Sequence, residues 1–215
     1  MSRDRIGRLH VLTDFHFQQR HTHAEIARAA AAAGADTIQY RHKTGTARDR
    51  IATLRPTVAA CRSAGVPCLV DDHLDLALAA GADGVHLGSL DLPVSDARRV
   101  ADEIGRPFIV GATATTTEAA RSAEADGADY IGFGPVFATS SKANPDSVKG
   151  LAGLERAAQA VSIPVIAIAG ITPARVAACL DAGAWGVAVM TAVTTADDIA
   201  AATAAFRDHI DRHGA

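Results

Sequence analysis

One phrase recurs along the chain and limits what it can fold into. It reads Ala33-Gly34-Ala35-Asp36-Thr37-Ile38, Ala80-Gly81-Ala82-Asp83-Gly84-Val85, Asp126-Gly127-Ala128-Asp129-Tyr130-Ile131 and Ala182-Gly183-Ala184-Trp185-Gly186-Val187. Each copy ends an alanine-rich helical stretch at glycine and opens an apolar run of strand character within three residues. A glycine just past a helix supplies the left-handed cap that closes it. Helix-to-strand units repeated without long linkers imply a parallel sheet whose crossovers are helices.

Eight apolar runs fit that pattern, at residues 9–12, 37–40, 68–70, 84–87, 108–110, 130–132, 165–168 and 186–190. Helical patterns lie between and after them, at 24–33, 47–64, 74–80, 94–104, 117–126, 151–160, 173–181 and 196–209. Thr172-Pro173 reads as a capping hydroxyl before a proline in the first helical position. Eight such units in 215 residues match a small α/β fold of the (β/α)₈ TIM-barrel type, with residues 1–215 as one domain. A doubly wound open sheet is the competitor. It usually carries a glycine-rich dinucleotide turn after its first strand, where this chain has Thr13-Asp14-Phe15-His16.

Composition narrows the partners. A net charge of −3 favours neither nucleic acid nor an anionic membrane, so basic residues must act locally. The polar start Met1-Ser2-Arg3-Asp4 resembles no signal peptide, and no apolar run approaches the roughly 20 residues needed to span a bilayer. The expected setting is the cytoplasm, and the composition is compatible with a homo-oligomer. Cys61, Cys68 and Cys179 have no metal-type spacing and read as buried structural thiols.

In a barrel, chemistry gathers in the loops that follow each strand. Here those loops carry Gln39-Tyr40-Arg41-His42-Lys43, Asp71-Asp72-His73, Gly88-Ser89-Leu90-Asp91, Gly111-Ala112-Thr113, a long connection from 133 to 150, Gly170-Ile171-Thr172 and Met190-Thr191. Asp72 and Asp91 follow consecutive strands at similar offsets. Two such carboxylates suit Mg²⁺, which keeps several waters and takes substrate phosphate oxygens; helix capping accounts for them equally well. Gln39, Arg41 and Lys43 alternate onto one side of the second strand, where the cations suit an anion such as diphosphate or stand as a solvated basic loop. Lys142 adds a cation in the long sixth connection. Gly170 and Thr191 follow strands seven and eight, the usual place for a phosphate cradle. His21-x-His23 precedes a helix in a polar stretch and reads as surface rather than as a metal pair.

Taken together, these motifs resemble the thiamine-phosphate synthase family, with the thiazole tautomerases as a close sister branch. The resemblance runs from Leu12-Thr13-Asp14 to Met190-Thr191-Ala192. The family's Gln-x-Arg-x-Lys motif, which grips a pyrimidine diphosphate, stands here as Gln39, Arg41 and Lys43, within a segment whose Tyr40 and His42 are assigned to substrate binding with it. The Asn-Asp pair after the third strand reads Asp71-Asp72, implying Asp72 as a Mg²⁺ ligand, with Asp91 as the second. Thr113 takes the place of the hydroxyl that contacts the pyrimidine. The Gly-Pro-x-(Tyr/Phe)-x-Thr-x-(Thr/Ser)-Lys loop is Gly134 to Lys142. It implies Thr139 and Ser141 at the thiazole phosphate and Lys142 at the diphosphate, with Ser140 assigned to substrate binding beside them. Gly170, Met190 and Thr191 match the cradle for that phosphate.

The resemblance implies the coupling of 4-amino-2-methyl-5-(diphosphooxymethyl)pyrimidine to a thiazole phosphate, giving thiamine phosphate and pyrophosphate. Arg41, Lys43 and Lys142 are its implied catalytic cations, with Mg²⁺ beside them. Two motifs depart from the family: Asp71 replaces an asparagine, and Ser89-Leu90 replaces Gln-Glu. The tautomerase branch places a histidine where Thr115 stands. The alternatives are a thiazole tautomerase, another phosphate-binding barrel enzyme, and a non-enzymatic regulator that binds a thiamine precursor.

Overall fold

Eight parallel strands close into a barrel in chain order, with the last pairing back to the first. The computed structural model describes residues 6–18, 20–139, 141 and 147–214. The strands are β1 (Leu9–Asp14), β2 (Thr37–Arg41), β3 (Cys68–Asp71), β4 (Gly84–Leu87), β5 (Ile109–Ala114), β6 (Tyr130–Phe133), β7 (Val165–Ile168) and β8 (Gly186–Val189). Around them lie α1 (His23–Ala32), α2 (Ala47–Ala64), α3 (Leu74–Ala80), α4 (Val94–Glu103), α5 (Thr117–Ala125), α6 (Gly150–Ala160), α7 (Val176–Asp181), α8 (Thr191–Thr194) and α9 (Ile199–Gly214).

The recurring phrase does more than cap helices. Its aspartates tie the lower rim of the barrel together. The amides of Leu9, Cys68 and Val110 donate to Asp36, Asp83 and Asp129 at 2.8, 2.9 and 2.8 Å. The backbone amides of those aspartates return the bond to the same three residues. An N–H at or next to the start of β1, β3 and β5 is thereby satisfied from the segment that enters the next strand. The fourth copy carries Trp185, whose indole N–H donates instead to the Ile6 carbonyl at 2.6 Å.

Strand alternation sorts the side chains into two cores. Leu12, Leu69, Ile109, Tyr130, Ile166 and Ala188 fill the barrel, while Val11, Ile38, Val70, Val85, Ile131 and Val187 pack outward beneath the helices. The three cysteines are free and buried in that outer layer. Among the described residues no helix is long and apolar enough to cross a membrane.

Three elements differ from the sequence expectation. The fifth strand runs to Ala114 rather than ending at 110, because β4 and β6 flank Gly111-Ala112 and hold an otherwise turn-like segment extended. The seventh helix begins as a 3₁₀ turn at Pro173–Arg175 in which the Thr172 side chain caps nothing; its carbonyl accepts from Arg175 N–H at 2.9 Å. The last helix, α9, starts at Ile199 and runs on to Gly214 rather than spanning 196–209, and the single turn α8 precedes it as an element the sequence pattern did not mark.

Candidate active site

At the C-terminal end of β2 the alternation brings Gln39 and Arg41, with Lys43 just beyond, to the barrel mouth. Asp71 at the end of β3 lies beneath all three. Its carboxylate accepts from Gln39 Nε2 at 2.8 Å, pairs with Lys43 Nζ at 2.9 Å and lies 3.5 Å from Arg41 Nε. Burial pushes the Asp71 carboxyl up, and Lys43 and Arg41 pull against that. Arg41 also pairs with Asp14, a buried acid at the end of β1 whose Oδ1 accepts from the amides of His16 and Phe17. Sequence reasoning had not singled out Asp14. Its signal was an acid closing an apolar run, the position where barrel strands deliver functional groups.

Tyr40 and His42 are corrected by the structure. They occupy the opposite parity and face α1 and α2, away from the mouth. The Tyr40 hydroxyl donates to the Arg50 carbonyl at 2.9 Å and lies 2.6 Å from the Thr53 hydroxyl and 2.9 Å from His42 Nδ1. Phe15 stacks on His42 at 4.2 Å, and His23 packs on Tyr40 at 4.5 Å. The same period of two that aims Arg41 and Lys43 at the mouth carries these rings outward.

Asp72 follows β3 in a left-handed conformation, φ 66°, which an aspartate tolerates better than most residues. That turn brings its carboxylate to Lys43, with Nζ 2.7 and 2.5 Å from its two oxygens. Its charge also acts on Asp91, which follows β4. Asp91 is held in turn by the Gly88 amide at 2.7 Å. Burial and the neighbouring Asp72 push the Asp91 carboxyl up. Burial alone would lower the Lys43 ammonium, but Asp71 and Asp72 outweigh it and hold it above its ordinary value. Two acids that follow adjacent strands offer oxygen donors of the kind a hard cation takes. Among the described residues no cluster of three or more metal-ligating side chains forms.

Thr113 is exposed on β5 and bonds His86 of β4, Nε2 to Oγ1, at 3.0 Å. On the far side the β6 connection docks against β7, with Val136 and Phe137 amides donating to the Ile168 and Ala169 carbonyls. Gly170 sits at φ 65°, and a Cβ there would stand 2.5 Å from the Ala138 carbonyl oxygen. That contact explains why the position has no side chain. The Ser141 hydroxyl lies 3.2 Å from Thr139 and 3.2 Å from Thr191, so the β6 and β8 connections meet at a cluster of hydroxyls. Met190 starts α8 and packs against the interior core. Ser140 and Lys142 lie outside the described residues.

The opposite end of the barrel holds a depression of about 650 Å³ lined by Arg98, Arg106 and Asp129. Its arginines are engaged with Asp129, Gly127 and Ala82, so that end supports the fold.

Residues 9–193 match the family model described as thiamine monophosphate synthase. A thiamine-phosphate synthase of Salinibacter ruber is 55% identical over 206 residues, 96% of this chain and 89% of that protein. One from Methanoculleus marisnigri is 46% identical over 94% of each chain. Among solved structures, thiamine phosphate pyrophosphorylase from Pyrococcus furiosus superposes with a TM-score of 0.87 at 35% identity, over 98% of both chains. Matched along nearly its whole length in sequence and in barrel geometry, this chain belongs to the thiamine monophosphate synthase family.

Proposed function

We propose that the chain joins the aminopyrimidine methyl diphosphate to the thiazole phosphate at this mouth, with Asp72 and Asp91 holding Mg²⁺. The observation that carries the reading is the arrangement around Lys43. One ammonium is held between Asp71 and Asp72, with Arg41 on the same Asp71 carboxylate, in a mouth open to an anion.

Bound Mg²⁺ supplies charge neutralisation to the diphosphate. Arg41 and Lys43 hold the diphosphate oxygens and stabilise the charge that builds on them as the carbon–oxygen bond breaks. The bonding pair leaves with the diphosphate, and the thiazole nitrogen donates its lone pair to the methylene carbon. No protein nucleophile is required. Gln39 and Thr113 position the pyrimidine, and Thr139, Ser141, Gly170 and Thr191 hold the thiazole phosphate so that the two reactants face each other. Ser140 and Lys142, assigned by the family resemblance, act from the same loop. We take the cytoplasm as its setting and small phosphorylated molecules as its partners.

Pyrophosphate release from purified protein, both substrates and Mg²⁺ tests this. Asp72→Ala is expected to lose at least about 10²-fold in rate with an unchanged circular dichroism spectrum. Full activity in EDTA or in that variant would remove the metal from the reaction.

A further inference from the structure

The barrel interior carries a polar chain of which the reaction described above uses only the last member, Thr113. Tyr130 on β6 reaches across β5 to His86 on β4, and His86 reaches back to Thr113 on β5. Tyr130 Oη lies 2.9 Å from His86 Nδ1, and His86 Nε2 lies 3.0 Å from Thr113 Oγ1. Two glycines make room for the rings. A Cβ at Gly111 would stand 2.3 Å from two carbons of Tyr130, and one at Gly132 would stand 3.2 Å from His86 Cε1.

The direction of this chain follows from counting hydrogens. Tyr130 is 1% exposed, and among the described residues His86 Nδ1 is the only acceptor its hydroxyl reaches. A buried hydroxyl hydrogen without an acceptor is strongly disfavoured, so Tyr130 donates and Nδ1 accepts. The ring proton then sits on Nε2 and is donated to Thr113 Oγ1. Thr113, exposed at the mouth, keeps its own hydrogen for a ligand.

We infer that Tyr130 and His86 are positioning residues that set Thr113 as a hydrogen-bond donor, selecting a substrate ring that presents an acceptor nitrogen there. The selection rests on the reading above that Thr113 faces the pyrimidine; the direction of the chain does not.

The two parts are tested separately. Side-chain ¹⁵N spectra of the ligand-free protein at neutral pH should show His86 with Nε2 protonated and Nδ1 bare, and Tyr130→Phe should abolish that bias. A protonated Nδ1 in the wild type overturns the relay, whatever the protein binds. Titrations then compare the pyrimidine diphosphate with an analogue in which the ring nitrogen is replaced by C–H. The wild type should prefer the parent by about tenfold, the effect of one hydrogen bond. Thr113→Val and Tyr130→Phe should both shrink that preference. If Thr113→Val alone shrinks it, His86 and Tyr130 do not position the hydroxyl and the inference fails. If the wild type has no preference while the expected tautomer is present, Thr113 does not select the pyrimidine, and that half of the inference falls.

Discussion

Asp71 shows how one side chain sets the behaviour of its neighbours. As a carboxylate beside two cations it accepts hydrogen bonds only, so the Gln39 amide must turn its NH₂ group inward at 2.8 Å and present its carbonyl oxygen to the mouth. That oxygen suits an exocyclic amino group. The same carboxylate places negative charge beneath a diphosphate, though Lys43 at 2.9 Å screens it. Unit charges 4 Å apart interact by about 4 kcal/mol at an effective dielectric near 20, which bounds the effect from above. Asp71→Asn should therefore tighten pyrimidine-diphosphate binding about tenfold at low Mg²⁺ and less at saturating Mg²⁺. Thiazole-phosphate binding should not move, and calorimetric titration of both substrates reads the contrast. Weaker diphosphate binding would instead make Asp71 a working ligand. Lys142→Ala should depress turnover by about 10²–10³ with little change in thiazole-phosphate affinity. Unchanged turnover would reduce that lysine to a cover for the site.

At the scale of elements, the phosphate cradle depends on connections meeting rather than on any one loop. The β6 connection hydrogen-bonds to the end of β7, and Ser141 meets Thr191 at 3.2 Å across to β8. Gly170 is the contact point. Besides the Ala138 carbonyl, an added Cβ would stand 2.8 Å from Phe137 Cβ, on a backbone whose φ of 65° disfavours side chains. Its carbonyl also accepts from Arg175, which stacks over Phe137 at 4.4 Å. Gly170→Ala should cost about 1–3 kcal/mol of stability and weaken thiazole-phosphate binding. Diphosphate binding, which uses β2, β3 and β4, should survive. Equal losses for both substrates would show a general collapse of the mouth.

For the whole molecule, the buried histidines set acid sensitivity. Burial pushes His10 down to about 4 and His23 to about 3. Both are nearly inaccessible, and His23 Nε2 has no partner among the described residues. The unfolded chain takes up these protons near pH 6.5 while the folded chain does not until the lowered values are reached. Stability from these groups is therefore intact above pH 6.5 and is lost progressively as pH falls toward 4. By pH 5 each histidine contributes a loss of roughly 2 kcal/mol. Urea unfolding at pH 7 and pH 5 should show a smaller drop for His23→Gln than for the wild type. Equal drops would assign the acid sensitivity to carboxylates alone.

The barrel, its strand order and the loops that carry the chemistry were legible in the sequence because their determinants are local. Glycine caps, apolar runs and the acids after β3 and β4 act over a few residues. The parity that sends Tyr40 and His42 outward was legible too, since it is the alternation that aims Arg41 and Lys43 inward. The Asp14–Arg41 pair, the extension of β5, the meeting of Ser141 with Thr191 and the Tyr130–His86–Thr113 chain were decided by tertiary structure. Each depends on which inward positions of neighbouring strands and connections face one another. Closure of the barrel sets that register across long separations in sequence, where no local pattern marks the partners.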